Sequence, residues 1–337
     1  MTDVRGLVRT TRSAATFCLG VSLIANVFLA SSMLDDLNLM LMVGVIALSF
    51  AASTGSSRVI GILLFASSIA LLLHSQAPLD VWKQALRENS YLIAMFVLVP
   101  LLSIPVQHGG YGESLREVFV RYANTDSRYY ALVSSMAAFV GVLISIAAVP
   151  LTYEVSRASG CNYDEKLLAS ALSRGFITCM IWAPTSATIA LVVQLTGVDW
   201  VAFFPFAIAC ALIAGAVGFL MTFVRDEAVK ASSDEAEAPM GKIDAGKVVE
   251  LCAFAFLLVV SVAATSQLGG LSAIVVVAMA SLVFPVAWMA AIGRLPTYAR
   301  EFRGDYFNNK LPQSKNQIVL FAGAGFFAQS IGYSHLG

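Results

Sequence analysis

Long apolar runs separated by short polar stretches dominate the chain. They lie at about 14–30, 38–52, 59–74, 91–106, 129–150, 201–224, 248–265, 270–293 and 317–333. Several come close to the ~20 residues a helix needs to cross about 30 Å of hydrocarbon. The run at 38–52 is short and borrows its flanks. A further apolar segment, 163–197, is interrupted by Pro184 and by the hydroxyl residues Thr178, Thr185, Ser186 and Thr188. Residues 78–90 and 111–123 alternate apolar and charged positions at helical spacing, the pattern of helices lying in a membrane interface. Residues 225–247 are polar, of mixed charge and nearly free of large apolar side chains, a linker by composition. The pattern predicts an all-α polytopic membrane protein of about nine spanning helices plus one broken segment. Residues 1–224 form a first membrane half, 225–247 a cytoplasmic linker, and 248–337 the start of a second half.

The broken segment organises the rest. In lipid, backbone freed from a helix must be satisfied by protein, water or solute, so breaks persist where they line a cavity. Transporters place solute and ion sites at such breaks, because helix ends supply partial charges. A plain proline kink is the competing reading. The sequence divides into a helical arm from Asp164 to Trp182, a tip at Ala183-Pro184-Thr185-Ser186 and a shorter returning arm from Ala187 to Thr196. Lys and Arg mark the cytoplasmic side. If the N-terminus is inside and 163–197 re-enters without crossing, sixteen Lys and Arg fall inside and five outside. A crossing segment reverses the bias to seven inside and fourteen outside. The N-out alternative with a crossing gives fourteen and seven, but leaves Arg5, Arg9 and Arg12 outside. The re-entrant arrangement with a cytoplasmic N-terminus, in the inner membrane of a cell, fits best.

Composition agrees with a bilayer. The 337 residues are 58% hydrophobic and 12% charged, with mean hydropathy +0.79, against about 25% charged in soluble domains. Formal charge is zero, which gives no sign of nucleic-acid binding. Cys18, Cys161, Cys179, Cys210 and Cys252 are scattered singly, and His74, His108 and His335 lie far apart, so neither a disulfide framework nor a metal centre is expected. The run after Arg5, Arg9 and Arg12 could end as a cleaved signal at Ala30-Ser31-Ser32, but its length favours an uncleaved first helix.

Two stretches resemble each other: Asn89-Ser90-Tyr91-Leu92-Ile93-Ala94-Met95-Phe96 and Asn316-Gln317-Ile318-Val319-Leu320-Phe321. Each follows an amphipathic, aromatic-bearing stretch, and two helical spans precede each. Under the re-entrant topology they run in opposite directions, as inverted repeats do. With Ser173-Arg174-Gly175 leading into Trp182-Ala183-Pro184-Thr185-Ser186, and with Phe321-Ala322-Gly323-Ala324-Gly325 opening a later span, residues 38–337 resemble the ion transporter superfamily. That family includes dicarboxylate/sodium symporters, gluconate permeases and the membrane subunits of tripartite carboxylate transporters. The resemblance implies two inverted halves, each with a re-entrant hairpin whose polar tip binds solute and often sodium. The Ser-Asn-Thr signature of the dicarboxylate branch is absent, and so is a second hairpin. Repeat arithmetic therefore predicts a full protein of roughly 440–450 residues, of which the 337-residue form alone does not transport.

The candidate chemistry is a secondary transporter of a small anionic organic solute, with Na⁺ as a candidate coupling ion and no other cofactor. Thr185, Ser186 and nearby carbonyls offer oxygen ligands for Na⁺. Arg174 offers a planar fork for a carboxylate, or else snorkels to the interface. Trp182, Pro184, Thr188 and Gln194 complete the candidate solute-binding set; Trp182 serves equally as packing, and Gln194 equally as an interhelical bond. No nucleophile–base pair and no HExxH or GxSxG occurs, so no enzyme is expected. The expected partners are lipid and solute, with a homodimer left open and nucleic acid excluded. A non-transporting scaffold, or a subunit of a larger permease, is the alternative.

Overall fold

The structure, a computed structural model, describes residues 2–159, 164–226 and 244–334. Most of the predicted linker, together with Cys161 and His335, lies outside them. The described residues are helical, with no strand among them. In chain order the helices are α1 (Thr2–Leu29), α2 (Ser32–Ala52), α3 (Ser56–His74), α4 (Leu79–Arg87), α5 (Ser90–Leu98), α6 (Ser103–His108) and α7 (Tyr111–Tyr122). There follow α8 (Asp126–Ile144), α9 (Ala148–Ala158), α10 (Glu165–Trp182), α11 (Ala187–Thr196) and α12 (Trp200–Asp226). The last are α13 (Ala245–Gly269), α14 (Ala273–Ala291), α15 (Leu295–Glu301), α16 (Leu311–Gln313) and α17 (Lys315–Tyr333), with a π-helical stretch at Phe302–Lys310.

Nine helices or helical stretches among the described residues are long and apolar enough to cross a membrane. Their outward faces are apolar too: Met40, Leu63, Phe206, Leu212 and Phe256 are each more than 60% exposed. A soluble monomer rarely leaves so much large apolar surface open. The chain is a multi-pass membrane protein. The run 317–333 forms α17 but is not one of the nine, whereas the broken segment, as Glu165–Thr196, is.

The chain divides into two compact units. The first holds residues 1–101 and 296–337. In it α17 packs along α3, close enough that a Cβ on Gly61 would come within 2.3 Å of Val319. Small residues at such positions let helices approach where lipid supplies no hydrophobic drive between them. The two similar stretches meet here. Asn89 Nδ2 donates to Phe321 O (2.8 Å), the rings of Phe96 and Phe321 lie 4.6 Å apart, and Gly325 faces Asn89. Since Asn89, before α5, meets Gly325 while Phe96, within it, meets Phe321, α5 and α17 run in opposite directions.

The second unit, residues 102–295, departs from expectation at one predicted span. The run 129–150 does not continue straight. It ends at Ile144, turns through Ser145–Ala147 and becomes α9. Ser145 takes a positive φ of 50°, and Pro150 sits in the first turn of α9, where a missing N–H costs nothing. α9 then returns along α8, bringing Ser156 Oγ within 2.5 Å of the Tyr129 hydroxyl. A helical hairpin is thus formed by α8 and α9.

The predicted returning arm differs as well. α10 runs alongside α8 in the same direction. Arg174 lies over Tyr130, Gly175 meets the Ser134 backbone, Gly141 meets Cys179, and Thr185 reaches Val142. After the break α11 goes on rather than folding back. Val259 of α13 packs against the Val142–Cys179–Ala183 cluster, and Gln267, two turns further along α13, donates to Asp199 Oδ2 (2.6 Å). These contacts place Asp199 beyond Ala183 in the direction of α13. α12 returns, with Trp200 beside Trp182 and Gly218 against the Tyr130 hydroxyl.

Candidate functional site

Two breaks meet in the second unit. The first is the turn between α8 and α9. The second is Ala183–Ser186 between α10 and α11, and its cause is local. Proline disfavours the helical conformation of its predecessor, and Ala183 is accordingly extended (ψ 127°). Ser186 is extended too (ψ 128°) and opens α11 with no side-chain cap. One hydrogen bond links the breaks. Thr185 Oγ1 donates to Val142 O at 2.6 Å, both groups buried. Val142 lies two residues before the end of α8, where helix carbonyls have no partner within the helix. The threonine hydroxyl supplies one.

The electrostatics follow from helix ends. α8 and α10 end at the breaks, presenting carbonyls and the negative end of their dipoles; α9 and α11 begin there, presenting N–H groups and the positive end. Neither α9 nor α11 has a side chain capping its N-terminus. Such a cluster can hold a cation on carbonyls and hydroxyls and an anion on the half-helix N-termini. In α9, Thr152 is fully buried, and its Oγ1 bonds no described atom.

The candidate residues separate. Pro184, Thr185 and Ser186 are buried together at the break, and Thr185 is 2% exposed. Ser186 Oγ makes a long contact with Met180 O (3.5 Å). Trp182 is half-buried, its carbonyl accepts from Trp200 Nε1 (3.2 Å) and its ring faces Phe204. Arg174 lies two turns before the break, exposed, with its guanidinium 5.9 Å from the Tyr130 ring. Thr188 is exposed, and Gln194 lies near the far end of α11. Three of the seven candidates, Arg174, Thr188 and Gln194, therefore do not gather at the break. Among the described residues no group of three His, Cys, Asp or Glu could hold a metal ion.

Sequence reasoning missed the turn at Ser145, since a lone serine inside an apolar run carries no signal beyond the Pro150 that follows. It also missed a polar cluster at the start of α13. There the Tyr111 hydroxyl donates to Glu250 Oε1 (2.7 Å) and accepts from Trp288 Nε1 (2.8 Å), while Lys247 pairs with Glu250 (3.1 Å). Burial, and then the bond to Glu250, push the Tyr111 phenol above its ordinary range and keep it a donor. No family model, no curated protein and no solved structure matches this chain.

Proposed function

We propose that the chain is a secondary active transporter, or the membrane half of one, for a small anionic organic solute, with Na⁺ as coupling ion. The observation that carries this reading is the Thr185–Val142 bond between two buried helix breaks. Na⁺ is held on Thr185, Ser186 and the carbonyls ending α8 and α10, and the anion on the N–H groups opening α9 and α11.

In the bilayer, α8–α9 is the re-entrant hairpin and α10–α11 is a broken crossing helix. This exchange leaves the sidedness of every later segment as the charge count requires. It also moves Arg157, Lys166 and Arg174 to the cytoplasmic side. Among the described residues, only Lys83 and Arg87 then remain outside, a stronger bias than the sequence alone suggested. The N-terminus is cytoplasmic. Support for an inverted repeat comes from the opposed directions of α5 and α17, which carry the two similar stretches.

The test is uptake of labelled mono- and dicarboxylates into proteoliposomes, with and without an inward Na⁺ gradient. Saturable uptake that rises with the gradient and falls in Thr185→Val supports the reading. Saturable binding without uptake, again weakened in Thr185→Val, assigns the chain as one half of a permease. No saturable uptake or binding of any carboxylate overturns it in favour of a scaffold.

A further inference from the structure

The first unit contains a polar cavity of about 150 Å³ between α1, α2 and α5, with Arg87 from the end of α4 at its wall. Its polar lining is Asn26, Asp35, Asn38, Arg87, Ser90 and Tyr91. None of these belongs to the helix breaks.

Asn38 points to a ligand. It is 5% exposed, and neither atom of its amide has a hydrogen-bond partner. Buried amides are normally satisfied, and each orphaned group carries a desolvation penalty. The charges give a second, independent observation. The Asp35 carboxylate accepts from Asn26 Nδ2 (2.8 Å), and among the described residues no cationic side chain pairs with it. Arg87 donates through Nη2 to the backbone carbonyl of Asp35 (2.9 Å), and among the described residues no carboxylate pairs with its other N–H groups. One acid and one guanidinium thus line the same small space without neutralising each other.

A ligand matching this wall carries both charges. A lone cation would satisfy Asp35 but face Arg87; a lone anion would do the reverse. An amide with a free donor and a free acceptor can serve both ends of a zwitterion. A cavity of about 150 Å³ suits the smallest amino acids. We propose that this cavity binds a small amino-acid zwitterion, its ammonium on Asp35 and Asn38 Oδ1 and its carboxylate on Arg87 and Asn38 Nδ2.

The whole protein in detergent tests this by calorimetric titration with glycine, L-alanine and L-serine, with methylammonium, acetate and NaCl as single-charge probes. The expected result is saturable binding of at least one amino acid, with none of the single-charge probes competing at equal concentration. Asn38→Leu, close in volume, should weaken that binding by about tenfold or more while the unliganded protein melts no lower. Should Asn38→Leu not fold, Arg87→Gln replaces it, with the same loss expected. Absence of saturable amino-acid binding to the wild type overturns the proposal. So does binding that both variants leave unchanged, and so does binding of methylammonium, Na⁺ or acetate as tight as that of the amino acids.

Discussion

Replacing Thr185 with valine keeps the shape of the side chain and removes one hydroxyl. That hydroxyl is the donor to Val142 O, so the substitution leaves a buried helix-end carbonyl unpaired. An orphaned buried acceptor costs about 1–3 kcal/mol, while interhelical side-chain bonds in bilayers average ~0.6 and reach ~1.7 kcal/mol. Thr185 is 2% exposed and Ala183 beside it 0%, so little room exists for water to replace the hydroxyl. The expected cost therefore lies toward the upper part of the bilayer range, about 1–2 kcal/mol, which is a factor of about 5–30 in the unfolding equilibrium. Reversible unfolding by SDS in mixed micelles measures it. Trp182 and Trp200, bonded to each other at the break, report the local step by fluorescence. A Thr185→Val protein within ~0.3 kcal/mol of wild type, with unchanged fluorescence, would refute the claim that this bond ties the two breaks.

Three further substitutions have expected outcomes. Gly175→Ala places a Cβ 2.3 Å from Ser134 O, so α10 must move from α8; a loss of about 1–3 kcal/mol is expected in the same assay. Ser145→Gly relieves a positive φ and should raise stability by roughly 0.5–1 kcal/mol, whereas Ser145→Val should lower it. Tyr111→Phe removes the donor to Glu250 and the acceptor for Trp288; hydrogen exchange at the start of α13 should speed up while that of α17 is unchanged.

What the sequence revealed and what it concealed differ for physical reasons. Helix existence followed from apolar runs, because each run had to be buried in lipid. The break at Ala183–Ser186 was visible because proline acts on its own neighbours, and the structure places the helix ends at Trp182 and Ala187. The path after the break was not visible. Whether α11 returns or goes on depends on what it meets, and Asp199 with Gln267 is a pairing of residues 68 apart in the chain. The turn at Ser145 was hidden for the opposite reason: its neighbours are apolar whether the chain goes straight or reverses. In the proposed topology a reversal at Ser145 and a crossing at Pro184 compensate, so the charge count leaves the later helices on the same sides as before. Of the candidate residues, Pro184, Thr185 and Ser186 are local to the break, and the structure buries them there. Arg174, with its planar fork, suggested a carboxylate, but helical rise carries it about 12 Å from Trp182.

The proposed topology has the chain reverse at Ser145 and cross at Pro184. Cysteine accessibility in intact cells tests this directly, using a variant without native cysteines and single cysteines at Asn124, Ala169 and Val198. Asn124 and Ala169 are expected to react with an impermeant maleimide only after the cytoplasmic side is opened, and Val198 from the outside in intact cells. Labelling of Val198 from the same side as Ala169 would show that 165–196 re-enters instead of crossing and would contradict the arrangement.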